Sequence, residues 1–337
     1  MQWKTLRLTN CAELTDVPGG VRPQRYPEAV RSALGQTGQN NAVKPSNLEL
    51  RWVAEDFANG AEITLASEGV TRLTAFFGSF VHAGNWRVGP GEPVTLRVAP
   101  VQGYLESIDR LPSSGGFDPR VARLMCLGDP VHLIDLRGAV RPPADHETPA
   151  RRLLAYGTSI THGNAATAPH LTYPAMLARR LGVDLINLGL GGSCLCEPEV
   201  ADYIAARDDW DLAVFALSVN MANQRFTVET FRDRVSNVIH RAARAHPDKP
   251  IFCVTLWPYF ADVTPEMARN AKADPAVFRQ ALRDAVNACP TGNVTLLEGP
   301  DLLADFAGLT TDLLHPSDLG FIEMAGRLAD AIGPAIH

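Results

Sequence analysis

Ser159 is the first residue of this chain whose type and position suggest covalent chemistry. It follows a short apolar run at 153–156 and stands two places after Gly157. An apolar strand that ends in Gly-x-Ser lifts a serine hydroxyl clear of the carboxyl edge of an α/β sheet, where such sheets bind ligands. Ser159 is therefore a candidate nucleophile. A Ser or Thr after a strand is also a common helix cap, so this pattern alone leaves both interpretations open.

A possible base for Ser159 stands far downstream. Asp312 precedes His315 by three residues, in a loop just ahead of an amphipathic segment that begins near Asp318. A serine hydroxyl is a weak nucleophile until a base takes its proton, and the base needs a third group to fix its tautomer. Taken with Ser159, the Asp-x-x-His pair predicts that His315 is the base and Asp312 the orienting acid. Asp318 opens the segment, where a carboxylate favours the helix dipole, so we expect a structural role for it.

The serine segment and a glycine-rich segment resemble the SGNH hydrolases, also called GDSL esterases. The marker residues of that family are Ser, Gly, Asn and His. Residues 157–160, Gly-Thr-Ser-Ile, are similar to its nucleophile block, with Thr158 where the commoner form has Asp. Residues 187–193, Asn-Leu-Gly-Leu-Gly-Gly-Ser, are similar to its second block. The resemblance runs from about residue 153 to about residue 332.

The remaining two blocks of the family also have counterparts. Ser-Val-Asn at 218–220 stands where the family has Gly-x-Asn-Asp, so Ser218 replaces a glycine and Met221 replaces an acidic residue. Asp312 and His315 match the last block. What the resemblance implies is a Ser-His-Asp triad of Ser159, His315 and Asp312.

Three N–H donors are candidates for an oxyanion hole. Attack on an ester carbonyl places negative charge on its oxygen, and fixed N–H groups stabilise that charge. The resemblance implies the backbone N–H of Gly192 and the side-chain amide of Asn220, and the N–H of Ser159 is the third. Glycines also serve any tight strand-to-helix turn, and an Asn after a strand is also a turn residue, so each match has a plain structural alternative.

Aromatic residues after the fourth predicted strand of the C-terminal half are candidates for the substrate pocket. Trp257 and Tyr259 open a long polar segment that reaches Asp274, and loops of this length are often functional lids. Both side chains, with His162, are predicted to contact substrate. An aromatic plug packed under a long loop is the alternative for the two aromatics.

The C-terminal half alternates strands and helices. Strands are predicted at 152–156, 183–187, 212–217, 250–256 and 293–297, and helices near 172–181, 197–206, 227–245, 275–289 and 318–332, with Thr227 as the cap of the third. Such alternation predicts an α/β fold with a parallel sheet and helices on both faces. The resemblance implies a flavodoxin-like, three-layer order. A flavodoxin itself would use 158–163 as a phosphate loop, but that leaves Asp-x-x-His unexplained.

The N-terminal half has the rhythm of β-strands. Apolar and polar residues alternate at 48–52, 61–65, 94–98 and 131–137, which predicts an all-β sandwich. This half is loosely similar to the jelly-roll-like leading domain of a two-domain SGNH subgroup that includes carbohydrate esterases and acyltransferases. Residues 142–150 are rich in proline, which predicts a linker there. It would separate a β-sandwich domain at 1–141 from a catalytic domain at 151–337. Arg22 and Arg25 either lie on the surface or enter the cleft.

Composition excludes several classes of protein. The chain has 337 residues and a formal charge of −6 with no basic block, which argues against nucleic acid as a partner. We find no apolar stretch long enough for a membrane span and no secretory signal, so the simplest expectation is a cytoplasmic protein. The six cysteines form no disulfide framework and are expected as reduced thiols, and neither a metal site nor a cofactor is expected.

These observations predict a serine esterase that acts through an acyl-enzyme. The expected substrate is an ester of a carbohydrate or small-molecule scaffold. One alternative is an acyltransferase that moves the acyl group to an alcohol or amine of a natural product. A more distant alternative is a catalytically dead glycan-binding protein. The acyl group, the acceptor and the oligomeric state stay open.

Overall fold

The computed structural model describes residues 1–113, 115–268 and 271–336. Its strands are β1 Gln2–Trp3, β2 Leu6–Thr9, β3 Glu13–Val17, β4 Gly20–Gln24, β5 Ser46–Ala54, β6 Ala61–Ser67, β7 Thr71–Phe77, β8 Phe80–Val88, β9 Val94–Val98, β10 Ala122–Gly128, β11 Val131–Arg137, β12 Val140–Arg141, β13 Arg152–Gly157, β14 Asp184–Asn187, β15 Leu212–Ala216, β16 Ile251–Val254 and β17 Val294–Leu297. Its α-helices are α1 Glu28–Arg31, α2 Gln36–Ala42, α3 Gln102–Ser107, α4 Ser159–His162, α5 Tyr173–Leu181, α6 Pro198–Ala206, α7 Val219–Asn223, α8 Val228–Ala245, α9 Pro275–Asn287, α10 Gly299–Leu302 and α11 Asp318–Ile336. Short 3₁₀ turns lie at Ile108–Arg110, Asp145–Glu147, Pro169–Leu171, Phe260–Asp262, Pro265–Met267 and Phe306–Gly308.

The C-terminal half forms a parallel sheet in the order β14-β13-β15-β16-β17. Counted along the chain this is the order 2-1-3-4-5, the order of flavodoxin-like doubly wound sheets. The five strands and five helices predicted for this half are confirmed to within a few residues. Thr227 caps α8 by accepting a hydrogen bond from the N–H of Thr230. Parallel strands bring their carboxyl ends to one edge, so the loops after β13, β14 and β15 meet there.

Helices cover both faces of the parallel sheet. One face packs against α5 and α11, which also contact each other, and Phe321 of α11 is buried in that layer. The other face packs against α6, α8 and α9, where Phe231 and Phe278 meet edge to face. Burial on both sides explains why these strands are almost continuously apolar.

The N-terminal half contains two antiparallel sheets. One has the order β1-β2-β5-β10-β7-β8 with β12 also paired to β5, and the other the order β3-β4-β11-β6-β9. The four alternating runs of the sequence lie in β5, β6, β9 and β11. Their apolar faces share one buried cluster with side chains such as Trp52 and Leu133. A β-rich part is thus present, while the jelly-roll-like order and the domain boundaries at 141 and 151 stay predictions.

The polar face of β5 is buried as well. All nine residues of the strand are buried, although its alternating sequence favours one solvated face. Arg51 forms a bidentate ion pair with Asp184 at the start of β14, with N–O distances of 2.6 and 2.8 Å. Glu49 pairs with both Arg51 and Arg123. The charged face of β5 therefore packs against the parallel sheet rather than against water.

Helices long and apolar enough to cross a bilayer are not found among the described residues. All six cysteines are free thiols.

Candidate active site

Ser159 lies at the tight turn between β13 and α4. A Cβ at Gly157 would stand 2.6 Å from the carbonyl oxygen of Ala216 and would also clash with Oγ1 of Thr161, so this position requires glycine. Ser159 is the first residue of α4, and its side chain is almost fully buried. Because the first N–H groups of a helix have no intrahelical acceptor, the N–H of Ser159 is available to a ligand.

His315 joins Ser159 to Asp312. Its Nε2 lies 2.9 Å from Oγ of Ser159, and its Nδ1 lies 2.7 Å from Oδ2 of Asp312. Because the carboxylate only accepts, Nδ1 carries the ring proton. Nε2 is then free to accept a hydrogen bond from the serine hydroxyl. The three residues that the sequence selects are brought into one hydrogen-bonded line.

Asp312 is held by its own loop. Its Oδ1 accepts from the backbone N–H groups of Leu314 and His315 at 2.8 and 2.9 Å, and from Oγ1 of Thr310 at 2.9 Å. Partial burial opposes ionisation of the carboxyl. The hydrogen bonds from the His315 ring and backbone and from Leu314 and Thr310 outweigh it and hold the pKa of Asp312 well below its usual range. The carboxylate is thus ionised and aimed at the imidazole.

Gly192 stands in the loop after β14, which we call the β14 loop (residues 187–193). Its φ of +66° lies in the left-handed region, which favours glycine. A Cβ built there meets no described heavy atom within 4 Å, so this position faces open space. Its carbonyl accepts from Nε2 of Gln224 at 2.7 Å. In the described part of the chain no hydrogen bond uses the N–H of Gly192.

Asn220 lies in α7, directly after β15. Its Oδ1 accepts from the N–H of Cys194 at 3.1 Å. Since a backbone N–H needs an oxygen partner, this bond fixes the amide orientation and leaves the NH₂ group free to donate elsewhere. Strands β14, β13 and β15 are neighbours, so Gly192, Ser159 and Asn220 stand at one edge of the sheet.

Trp257 and Tyr259 are almost fully buried, with 3 % and 1 % of their surface exposed. Trp257 packs beside Tyr173, and Tyr259 packs against Phe260 and reaches Oδ1 of Asn223 at 3.4 Å. This placement favours the packing alternative for both aromatics. Their role as pocket walls stays a prediction, and the predicted lid segment includes residues 269–270, which lie outside the described residues.

His162 is also buried, at the end of α4. Its Nδ1 lies 3.1 Å from the carbonyl oxygen of Gly189 and 3.4 Å from Nη2 of Arg25. Burial and the positive charge of Arg25 lower the pKa of His162 to about 3. The ring is therefore neutral, and its Nδ1 lies within hydrogen-bonding distance of the β14 loop. A substrate contact by His162 stays a prediction.

The sequence did not indicate that a group of N-terminal residues holds the β14 loop. Arg25 is buried and donates to the carbonyl of Asn187 at 2.9 Å, so of the two positions considered for it, the surface is wrong. Tyr26 donates its hydroxyl to the carbonyl of Leu188, and Asn41 donates to the carbonyl of Gly191 at 2.7 Å. No local pattern marks these residues, because the contacts of Arg25 and Tyr26 span 162 positions and that of Asn41 spans 150.

Asp318 has the structural position expected of it, but with a different partner. Its carboxylate accepts from the N–H and hydroxyl of Thr167. Oγ of Ser317, rather than the Asp318 carboxylate, accepts a hydrogen bond from the N–H of Gly320 in the first turn of α11, at 3.4 Å. Ser317 caps this helix, and Asp318 ties the helix to the loop after α4. Among the described residues, no group of three His, Cys, Asp or Glu side chains has the spacing of a metal site.

The comparisons with known proteins establish the family. Residues 150–334 match the family described as GDSL-like Lipase/Acylhydrolase, which is more than half of the chain. The protein belongs to this family of lipases and acylhydrolases, as the resemblance to SGNH hydrolases predicts. No curated protein matches the chain by sequence.

Solved structures share the fold over nearly the whole chain. The salicylyl-acyltransferase SsfX3 from a tetracycline biosynthetic pathway is 18% identical, with a TM-score of 0.78, covering 98% of this chain and 96% of that one. A putative GDSL-like lipase from Bacteroides ovatus is 18% identical with a TM-score of 0.71, covering 98% and 95%. A family two carbohydrate esterase from Clostridium thermocellum, solved with cellohexaose, is 18% identical with a TM-score of 0.65, covering 98% and 99%.

Proposed function

We propose that this enzyme cleaves esters through an acyl-enzyme formed on Ser159. The observation that carries the proposal is the hydrogen-bonded line from Ser159 Oγ to His315 to Asp312, with contacts of 2.9 and 2.7 Å. A serine at this distance from an imidazole whose far nitrogen is held by a carboxylate is an activated nucleophile.

The proposed reaction has two halves. Oγ of Ser159 attacks the ester carbonyl while Nε2 of His315 takes the hydroxyl proton, and the oxyanion is held by the N–H groups of Ser159 and Gly192 and the amide of Asn220. The C–O bond to the leaving alcohol then breaks, and His315 gives its proton to that alcohol. In the second half His315 takes a proton from an incoming water, alcohol or amine, which attacks the acyl carbon. The bond between the acyl carbon and Oγ of Ser159 then breaks, and His315 gives its proton to Oγ.

The proposed substrate is an acyl ester on a carbohydrate or small-molecule scaffold. Structural neighbours named as carbohydrate esterases and as a salicylyl-acyltransferase support this class. Hydrolysis is the primary proposal, and transfer to an alcohol or amine is the second, favoured by the likeness to the acyltransferase. The two differ only in what enters the site after the acyl-enzyme has formed.

Intact-mass detection of the acyl-enzyme tests the proposal. The purified protein is mixed with a panel of aryl esters that differ in the acyl group, and decay of the adduct is followed with and without sugar, alcohol and amine acceptors. We expect an adduct on Ser159, lost in Ser159→Ala, together with a fall in turnover of about 10⁴-fold or more. An acceptor that speeds decay and appears in an acylated product identifies transfer.

Ser32→Ala is the control, because Ser32 is an exposed serine of the N-terminal half. It should keep both the adduct and the turnover. Turnover that persists in folded Ser159→Ala protein would overturn the proposal. A wild-type chain that binds glycans, forms no adduct and has no turnover would support the dead binding protein instead.

A further inference from the structure

The β14 loop is held by hydrogen bonds to its carbonyl oxygens. The carbonyls of Asn187 and Leu188 accept from Arg25 and Tyr26, and that of Gly189 lies within hydrogen-bonding distance of His162. The remaining three are bonded too: Leu190 accepts from the N–H of Ser193, Gly191 from Asn41 and Gly192 from Gln224. Every carbonyl from residue 187 to residue 192 therefore has a partner, and the loop has one defined backbone conformation.

Asn41 acts on the peptide group that includes the N–H of Gly192. Its Nδ2 donates to the carbonyl oxygen of Gly191 at 2.7 Å. That carbonyl and the N–H of Gly192 belong to the same planar trans peptide, in which C=O and N–H point in opposite directions. Fixing the carbonyl on the Asn41 side therefore fixes the N–H on the opposite side.

This peptide needs such a restraint because it joins two glycines. A peptide between Gly191 and Gly192 can rotate about its flanking bonds without moving a Cβ, so little steric cost opposes a flip. After a flip the carbonyl oxygen would occupy the direction of the N–H, and it would repel an oxyanion. Oγ of Ser193 donates to the same carbonyl at 3.2 Å, which makes it the second and longer restraint.

We propose that Asn41 is a positioning residue for the oxyanion hole. By holding the carbonyl of Gly191, it keeps the N–H of Gly192 aimed at the oxygen of the reacting ester. A side chain of the N-terminal half, 150 positions before its partner, thus sets the geometry of a transition-state donor. The inference rests on the proposed function, because it assigns Asn41 a part in the same acyl transfer.

Two variants of Asn41 separate hydrogen bonding from packing. Asn41→Ala removes the donor, and Asn41→Asp keeps the shape but places an acceptor opposite the carbonyl of Gly191. We expect kcat for an aryl ester to fall about tenfold in Asn41→Ala and further in Asn41→Asp. A misdirected N–H loses part of the transition-state stabilisation that is lost when an oxyanion donor is deleted. KM should stay within about threefold, because the bond acts in the transition state.

Asn40→Ala is the matched control, since Asn40 is the exposed neighbour on the same helix and bonds only to Gln36 among the described contacts. It should keep wild-type kcat. A tetrahedral boronate that binds Ser159 serves as the second readout, and its affinity should fall by the same factor as kcat/KM. Titration with it also counts folded sites, so partial unfolding of a variant does not imitate a loss of kcat.

The inference would be overturned by an unchanged kcat in both Asn41 variants, by a raised KM with kcat intact, or by an equal loss in Asn40→Ala. A fully active Asn41→Asp with an impaired Asn41→Ala would also overturn it, because shape rather than donation would then matter. These failures are distinct from failure of the proposed function, which is shown by turnover in Ser159→Ala.

Discussion

Two loops of this enzyme reach the same edge of the parallel sheet by different means. In the loop of residues 310–315, Asp312 is held by Thr310, Leu314 and His315, so all of its restraints lie within three positions. In the β14 loop the restraints on the backbone come from residues such as Arg25 and Asn41, some 150 positions away. The first loop organises itself, whereas the second is organised by the rest of the molecule.

The difference shows which parts of the site depend on the β-rich half. The proposed acid–base pair Asp312–His315 is partly exposed and is held by its own turn. The proposed oxyanion donor, the N–H of Gly192, depends on the N-terminal residues that hold the β14 loop. A perturbation of the N-terminal residues that hold the β14 loop, such as Arg25 or Asn41, should therefore reduce transition-state stabilisation before it affects the acid–base pair.

After Ser159→Ala, the largest effect is expected for Asn220, the proposed side-chain donor of the oxyanion hole. Asn220→Ala should lower kcat by about 10²–10³-fold, the usual cost of deleting one oxyanion donor. Asn220→Asp keeps an acceptor for the N–H of Cys194 but places a carboxylate beside the oxyanion, and it should be at least as impaired. Steady-state kinetics measures both, with Asn223→Ala in the same helix as the control. An active Asn220→Asp variant would show that Asn220 is not an oxyanion donor.

The next largest effect is expected for the ion pair between Arg51 and Asp184 at the start of β14. Arg51→Met leaves Asp184 charged and buried, and breaking such a pair typically costs about 3–5 kcal/mol of stability. Denaturant unfolding should show this loss, while kcat per folded enzyme stays near the wild-type value. The double variant Arg51→Met/Asp184→Leu should recover most of the stability, because no unpaired charge remains. A stable single variant would mean that this ion pair does not hold the two halves together.

In the loop of residues 310–315, we expect replacement of Asp312 to change the kinetics with little change in structure. Asp312→Asn should lower kcat at least about 10-fold through the wrong imidazole tautomer. The pKa of Asp312 is depressed in the fold, so its contribution to stability is present above the ordinary Asp pKa of about 3.9 and is lost as the pH falls through the folded pKa. The stability difference between wild type and variant should therefore shrink below about pH 4. A difference that grows on acidification would contradict this assignment.

The smallest effect is expected at Asp318. Asp318→Asn weakens the tie to Thr167 but leaves the Ser317 cap in place, so it should cost about 1 kcal/mol or less, with kcat nearly unchanged. Thermal unfolding and kinetics measured beside Asp312→Asn make a matched pair. The two assignments must be exchanged if Asp318→Asn is kinetically crippled and Asp312→Asn is active.

The sequence predicts what local order determines. Alternation of apolar runs with 3.6-residue periodicity gives the parallel sheet and its helices, because each element shows its own buried face. The turn after β13 and the Asp312–His315 spacing are also local, so Ser159, Asp312 and His315 could be identified together. Gly192 and Asn220 required the family resemblance, since a glycine or asparagine after a strand has several uses.

The sequence does not predict contacts that join distant segments. Glu49 and Arg51 alternate with leucines and resemble a solvated strand face, yet they are buried because β14 supplies Asp184 as a partner. Arg25 and Asn41 carry no signal of their role, because their partners are backbone carbonyls, which every residue possesses. Trp257 and Tyr259 follow a strand end as pocket residues would, but their burial depends on how the loop above them folds.

The hydrogen bond from Asn41 to Gly191 joins two residues that the ribosome makes at different times. At about 5–20 residues per second, a ribosome needs roughly 8–30 s to make the chain between these two residues. The N-terminal half is thus complete before its catalytic partner loop exists, and His315 emerges later still. The nascent chain gains a competent oxyanion site only when the last of these segments docks. In a refolding experiment the chain is complete from the start, but contacts between distant positions still form after local structure, so recovery of ester turnover should lag behind recovery of the circular dichroism signal.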